Sequence, residues 1–200
     1  LSFLEKIESK KYNYIDLFAG CGGLSLGFES VNFNLVFAVE KSPMAAETFY
    51  HNFIKNIKNQ NEWDEYLKTS DEEKISKKLF VGETLSLLQK PELLEKVKSK
   101  IGELDLIVGG PPCQGFSLAG KRNPKDHRNI LPWQYLEYVD IFKPKAVLME
   151  NVLGMRQNFN KHNEESPFKQ IKLYLEECNP KYIVQELQLN AMHYGVAQHR

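Results

Sequence analysis

The sequence is short of cysteine, of long apolar runs and of any charge excess. Its three cysteines, Cys21, Cys113 and Cys178, are too few and too widely spread for a disulfide framework, and no C-x-x-C pair offers a zinc site. Its five histidines form no H-E-x-x-H pattern, so no metal is expected. No apolar stretch approaches the length of about 18 residues needed for a membrane-spanning helix. The opening LSFLEKIESKKYNYIDLF carries charges too early and too often for a signal-peptide core. These absences point to free thiols in a reducing, cytoplasmic setting with no membrane attachment. Lysine and arginine number 26, aspartate and glutamate also 26. That balance excludes a uniformly basic, histone-like binder of nucleic acid, but not a few cations gathered in one place.

What is present is ordinary globular material. With 42% apolar and 26% charged residues over 200 positions, the chain can bury a core as one domain. Apolar runs bounded by turn residues alternate with helical patterns. The runs are YNYIDLFAG (12–20), LVFAVE (35–40), LDLIVGG (104–110), KAVLMEN (145–151) and YIVQELQL (182–189). Helical patterns occupy 24–30, 43–53, 93–100, 131–142 and 166–178, and Pro43 suits a first helical turn. Near-continuous apolar strands separated by helices predict an α/β fold: an open, mainly parallel sheet with helices on both faces. Its ligand is expected at the carboxyl ends of the strands. The polar stretch from Lys55 to Phe80 reads as a helical surface insertion with no chemistry of its own.

Between the first strand and its helix lies DLFAGCGGLSLGF (16–28). Glycines at 20, 22 and 23 let the backbone turn sharply and approach a ligand with no Cβ in the way. The helix that follows offers unpaired N–H groups to an anion. The spacing is not G-x-G-x-x-G, so pyrophosphate is not specifically implied. Glu40 closes the second run, where an acid suits the two hydroxyls of a ribose. Alone, this pattern does not separate a ligand loop from a tight turn. Cys21, inside the loop, is expected to be a small packing residue.

The third run exits through GGPPCQGFSLAG (109–120), which presents Cys113 on a stiff, polar turn where ligands bind. A thiolate so placed is a candidate nucleophile. The next residues, AGKRNPKDHR, gather Lys121, Arg122, Lys125 and Arg128 against Asp126 alone. A basic loop beside a nucleophile suits a polyanionic substrate held through its phosphates. The fourth run, expected to be a buried strand, delivers Glu150 and Asn151 to the same sheet edge. A carboxylate directly after V-L-M is costly to desolvate and needs partners or a purpose.

Together the pieces resemble the DNA (cytosine-5) methyltransferases, especially those of bacterial restriction–modification systems. The motifs, in that family's order, are Phe18-Ala19-Gly20-Cys21-Gly22-Gly23, Pro112-Cys113-Gln114, Glu150-Asn151-Val152 and Gln198-His199-Arg200. Gly115-Phe116-Ser117 and the stretch from Arg128 to Leu131 match as well, and the resemblance runs from about Tyr14 to the last residue. It implies a Rossmann-like, S-adenosylmethionine-dependent methyltransferase fold. It also implies methyl transfer to carbon 5 of a cytosine flipped out of double-stranded DNA. Cys113 would attack carbon 6, Glu150 would hold a proton at ring nitrogen 3, Asn151 would support that carboxyl, and Arg200 would orient the base.

The resemblance carries Phe18, Ala19, Gly20, Gly23, Glu40, Pro112 and Leu131 to the cofactor. Lys41 would lie beside the adenine. Glu83 stands where the family usually has an aspartate toward the adenine amino group, one methylene longer. Gln114, Ser117, Lys121, Arg122 and Arg128 are expected against DNA.

The family pattern continues beyond Arg200 with a second arginine and a target-recognition domain. A fragment, or a complementary chain supplying the rest, is therefore expected, and the isolated chain is expected to be inactive. Two alternatives stand beside this reading. One is a transfer-RNA cytosine-5 methyltransferase on the same scaffold, which usually carries a different pattern after P-C-Q. The other is a non-catalytic cofactor-binding module, which needs neither Cys113 nor Glu150.

Overall fold

The computed structural model describes residues 11–112, 130–152 and 166–197. Strand β1 (Tyr12–Leu17) leads through the glycine loop into helix α1 (Gly23–Ser30). Then come β2 (Phe33–Glu40) and α2 (Pro43–Phe53). Two short helices, α3 (Gln60–Leu67) and α4 (Asp71–Ser76), precede β3 (Leu79–Val81). Helices α5 (Thr84–Leu88) and α6 (Pro91–Ile101) lead to β4 (Leu106–Gly109). Helix α7 (Leu131–Phe142), β5 (Ala146–Met149), α8 (Pro167–Glu177) and a 3-10 turn (Ala191–Tyr194) complete the described elements.

The five strands form one parallel sheet in the order β3-β2-β1-β4-β5. The alternation of side chains along the strands, shifted once in β2 by a bulge between Leu35 and Phe37, sorts the core into two layers. Ile15, Leu17, Phe37, Val39 and Ile107 face a cluster with Leu87, Leu94, Tyr135, Val139 and Leu175, from the helices after β3. Tyr14, Leu35, Ala38, Leu106 and Val108 face the opposite cluster, with Ala46, Phe49, Tyr50, Trp63 and Tyr66. Each fully buried large side chain contributes about 1.5–3 kcal/mol. The helices begin where local chemistry says they should. Ser42, Asn59, Ser70 and Ser166 each accept a hydrogen bond from a backbone N–H of the first turn.

Three expectations change. Residues 55–80 are not a solvated appendage. Trp63, Tyr66 and Ile75 are buried, Trp63 stacks on Tyr66, and the Tyr66 hydroxyl donates to the Leu79 carbonyl. Polar residues dominate the count there, but the few apolar ones share one face of α3, and the stretch ends in sheet strand β3. Residues 182–189 form no strand among the described residues. Ile183 is 95% exposed, and the segment is anchored through Tyr182, whose hydroxyl donates to the Pro144 carbonyl at 2.7 Å. Alternation prepares a strand, but a strand also needs a partner for its N–H and C=O groups. Finally, β5 is not buried. Val147 and Met149 pack on the core, while Ala146 and Leu148 are exposed.

Candidate functional site

The registers Leu17↔Val39, Leu17↔Gly109, Glu40↔Val81 and Gly109↔Met149 align the carboxyl ends of all five strands at one edge. The connections leave β1 and β4 there in different directions, which opens the crevice where parallel α/β sheets bind ligands.

The loop after β1 is built on left-handed backbone. Phe18, Gly20 and Gly22 have φ of 59°, 56° and 95°. Glycine takes that conformation freely, whereas Phe18 is held there against its preference by its surroundings. Ala19 N–H donates to the Val39 carbonyl at 3.0 Å, which locks the loop to β2. Gly22 also meets Phe53 closely, since a Cβ there would lie 2.2 Å from its ring. At Gly20 and Gly23 nothing stands within 4 Å of such a Cβ, leaving open space over the loop. Cys21 is exposed, so it is not the packing residue the sequence pointed to.

Glu40 closes the loop from β2. Its Oε2 accepts from Gly20 N–H at 2.8 Å and its Oε1 from Ser42 N–H at 2.6 Å. Each carboxylate oxygen keeps a further lone pair that can receive a hydroxyl donor. Lys41 and Glu83 meet in an exposed ion pair of 2.7 Å across the ends of β2 and β3. Leu131 opens α7, half-buried.

A second group gathers at the ends of β4 and β5. Gly109 must lack a side chain, because a Cβ would fall 2.3 Å from the Leu17 carbonyl oxygen. Glu150 N–H donates to the Gly109 carbonyl at 2.9 Å, and the Glu150 carboxylate lies over Gly110. Asn151 does not hold that carboxyl. Its side-chain amide donates to the Pro111 carbonyl at 3.0 Å, bracing the turn before Pro112. Pro111 is buried and Pro112 exposed. Cys113, Gln114, Ser117, Lys121, Arg122, Arg128 and Arg200 lie outside the described residues. The structure thus brings Phe18, Ala19, Gly20, Gly23, Glu40, Lys41 and Glu83 together at one edge, with Pro112, Glu150 and Asn151 at the neighbouring strand ends.

Two residues escaped the sequence reading. Asp16 is fully buried at the end of β1, and its Oδ2 accepts from the equally buried Ser25 hydroxyl of α1 at 2.6 Å. Burial pushes the Asp16 carboxyl up to about 7, with Ser25 opposing and Glu40 adding to the shift. The signal was present: an aspartate inside the apolar run Y-I-D-L-F.

A parallel sheet with a glycine loop after its first strand and an acid closing its second has the architecture of a Rossmann-like methyltransferase. The chain belongs to the C-5 cytosine-specific DNA methylase family, whose model matches residues 12–200. It is 37% identical to the Type II methyltransferase M.DdeI of Desulfomicrobium norvegicum over 94% of this chain and 38% of that protein. It is 33% identical to the Type II methyltransferase M.AquIA of Picosynechococcus over 93% of this chain and 67% of that protein. Among solved structures, it resembles a DNA modification methyltransferase encoded within an E. coli prophage. The TM-score is 0.53 at 34% identity, over 74% of this chain and 34% of that one. The chain spans about two-fifths of the length of curated relatives such as M.DdeI and M1.BsuMI of Bacillus subtilis (38% and 42%).

Proposed function

We propose that the protein carrying this chain transfers a methyl group from S-adenosylmethionine to carbon 5 of cytosine in double-stranded DNA. The observation that carries this reading is the meeting, at one sheet edge, of the Glu40-closed glycine loop with the Gly110–Pro112 turn and Glu150. The loop fits an adenosine-type ligand: open space over Gly20 and Gly23, and beside it a carboxylate with lone pairs left for ribose hydroxyls. Phe18, Ala19, Gly20, Gly23 and Glu40 would hold the methionine and ribose, with Lys41, Glu83, Pro112 and Leu131 bordering the adenine and the methyl-donor end.

When bound, S-adenosylmethionine supplies the electrophilic methyl group. The chain's own residues must do the rest. Cytosine carbon 5 is too weak a nucleophile unaided, so the Cys113 sulfur adds to carbon 6 and pushes electron density onto carbon 5. Glu150 holds a proton at ring nitrogen 3 and neutralises the charge that develops there. Asn151, through Pro111, sets the turn from which Cys113 departs. After transfer, removal of the carbon-5 proton by a base restores the ring's double bond and expels the Cys113 thiolate. A stacked base cannot reach this site, so the cytosine is flipped out of the duplex at a cost of a few kcal/mol. Gln114, Ser117, Lys121, Arg122 and Arg128 contact the DNA, and Arg200 orients the base.

Target recognition falls to a further portion of the protein or to a complementary chain. Two observations support this: the curated relatives' greater length, and the apolar side chains left exposed at Leu148 of β5 and at Ile183, Leu187 and Leu189.

The test is methyl incorporation from labelled S-adenosylmethionine into duplex DNA by the complete protein. Cys113→Ala is expected to abolish it, and 5-fluorocytosine in the target is expected to trap an adduct at Cys113. Undiminished incorporation by the variant, or an adduct at another residue, would remove Cys113 from the reaction.

A further inference from the structure

Asp16 is the most unusual polar group in the described structure. It is fully buried beneath the glycine loop, with Tyr14 on the same face of β1, and Ser25 is its hydrogen-bond donor. Its second oxygen, Oδ1, is buried without a hydrogen-bond partner among the described residues. A buried carboxylate held by one residue, through the Ser25 hydroxyl and its backbone N–H, with its other oxygen bare, is costly as an anion. The groups that bear on it electrostatically are known from each neighbouring element. Glu40 on β2 repels it, Ser25 on α1 donates to it, and Tyr14 on β1 and Tyr135 on α7 lie within its field. Among those groups there is no cation.

Two carboxyl groups thus flank one loop. Glu40 accepts from the loop's Gly20 N–H, and Asp16 holds the first turn of α1 through Ser25. A positive charge brought to that loop would offset the repulsion between them. S-adenosylmethionine carries such a charge on its sulfonium sulfur, whereas the thioether S-adenosylhomocysteine does not.

We propose that Asp16 is a positioning residue whose ionisation is linked to occupation of the glycine loop, so that a proton leaves the protein as a sulfonium ligand binds. The inference rests on the cofactor reading above. Protonated Asp16 loses its O–H proton to solvent, and the resulting carboxylate accepts a stronger hydrogen bond from Ser25, tightening the entry to α1. Near neutrality the group is poised between its two forms, burial having raised it to about 7. Affinity for the cationic ligand therefore rises with pH through this region, because the ionised form is the one it favours.

Titration calorimetry of the complete protein at pH 7, in two buffers of different ionisation enthalpy, counts the protons released. The expected result is fractional proton release with S-adenosylmethionine and clearly less with S-adenosylhomocysteine. Affinity for the sulfonium ligand should rise roughly three- to tenfold between pH 6 and pH 8. Asp16→Asn should bind without proton release and with a flat pH profile. Should Asp16→Asn not fold, Ser25→Ala decides: it keeps the carboxyl and the backbone N–H of residue 25 but removes the hydroxyl donor, so the affinity rise should move to higher pH. Binding without proton release in the unmodified protein, release unchanged in Asp16→Asn, or an unmoved profile in Ser25→Ala each overturns this inference alone. Failure of the unmodified protein to bind S-adenosylmethionine overturns the cofactor reading, and this inference with it.

Discussion

The side-chain amide of Asn151 donates to the main-chain carbonyl of Pro111 at 3.0 Å, joining the end of β5 to the turn that leads into Cys113. The contact spans 40 positions of sequence and ties Asn151 to the residue before Pro112. Asn151→Ala is expected to cost about 1 kcal/mol of stability, the net worth of one such bond. Its cost to turnover should be larger, roughly 10- to 100-fold in kcat, since misplaced reacting groups are penalised steeply. Single-turnover rates and thermal melts of the same variant separate the two effects. Equal small losses in both would make the bond merely structural.

Gly109 and Gly27 make opposite demands. A Cβ at Gly109 would collide with the Leu17 carbonyl oxygen at 2.3 Å, backbone that cannot move without disturbing β1. Gly109→Ala should destabilise by about 1–3 kcal/mol, a fall in Tm of roughly 3–10 °C. Gly27 lies exposed in α1 with nothing within 4 Å, so Gly27→Ala should stabilise by about 0.5–1 kcal/mol. Scanning calorimetry checks both signs.

The Lys41–Glu83 pair has side chains 71% and 53% exposed, so water and salt screen it. Lys41→Ala should change stability by less than about 1 kcal/mol, and by less still at high salt. If Glu83 borders the adenine as proposed, Glu83→Ala should weaken S-adenosylmethionine binding more than Lys41→Ala does. Urea melts and binding titrations on the two variants test this, and the reverse order of affinities would move Glu83 off the ligand.

Stability should depend on pH through Asp16. Its carboxyl lies near 3.8 in the unfolded chain and is raised to about 7 by burial in the folded one. Between these values the folded state holds a proton that the unfolded state releases. The stabilisation is therefore complete below about 4 and is lost as pH rises through about 7. Tm is expected to fall between pH 5 and pH 8 more steeply in the unmodified protein than in Asp16→Asn. Parallel curves for the two would show that Asp16 does not titrate in this range.

Local pattern was enough to place most of the sheet. The apolar runs at 12–20, 35–40 and 104–110 became β1, β2 and β4, and the pattern over 131–142 is α7, residue for residue. The glycines at 20 and 22 announced a sharp turn, and the structure has positive φ at both. That Glu40 would stand beside the glycine loop was also legible, because the end of β2 lies beside the end of β1 in any parallel βαβ unit, but its bonds to Gly20 and Ser42 N–H were not. Composition hid β3, since three strand residues follow a polar stretch whose buried face rests on Trp63 and Tyr66.

The sequence by itself determined which residues alternate, where the chain turns, and in what order the chemistry-bearing motifs come. These are properties of near neighbours, set by backbone sterics and side-chain period. Only the tertiary structure decided which of them meet. Asp16 found Ser25 under the glycine loop, Lys41 found Glu83 across two strand ends, and Asn151 took the Pro111 carbonyl rather than the Glu150 carboxyl. It also left the alternating 182–189 segment without a strand partner among the described residues, because pairing is a property of two segments and periodicity of one.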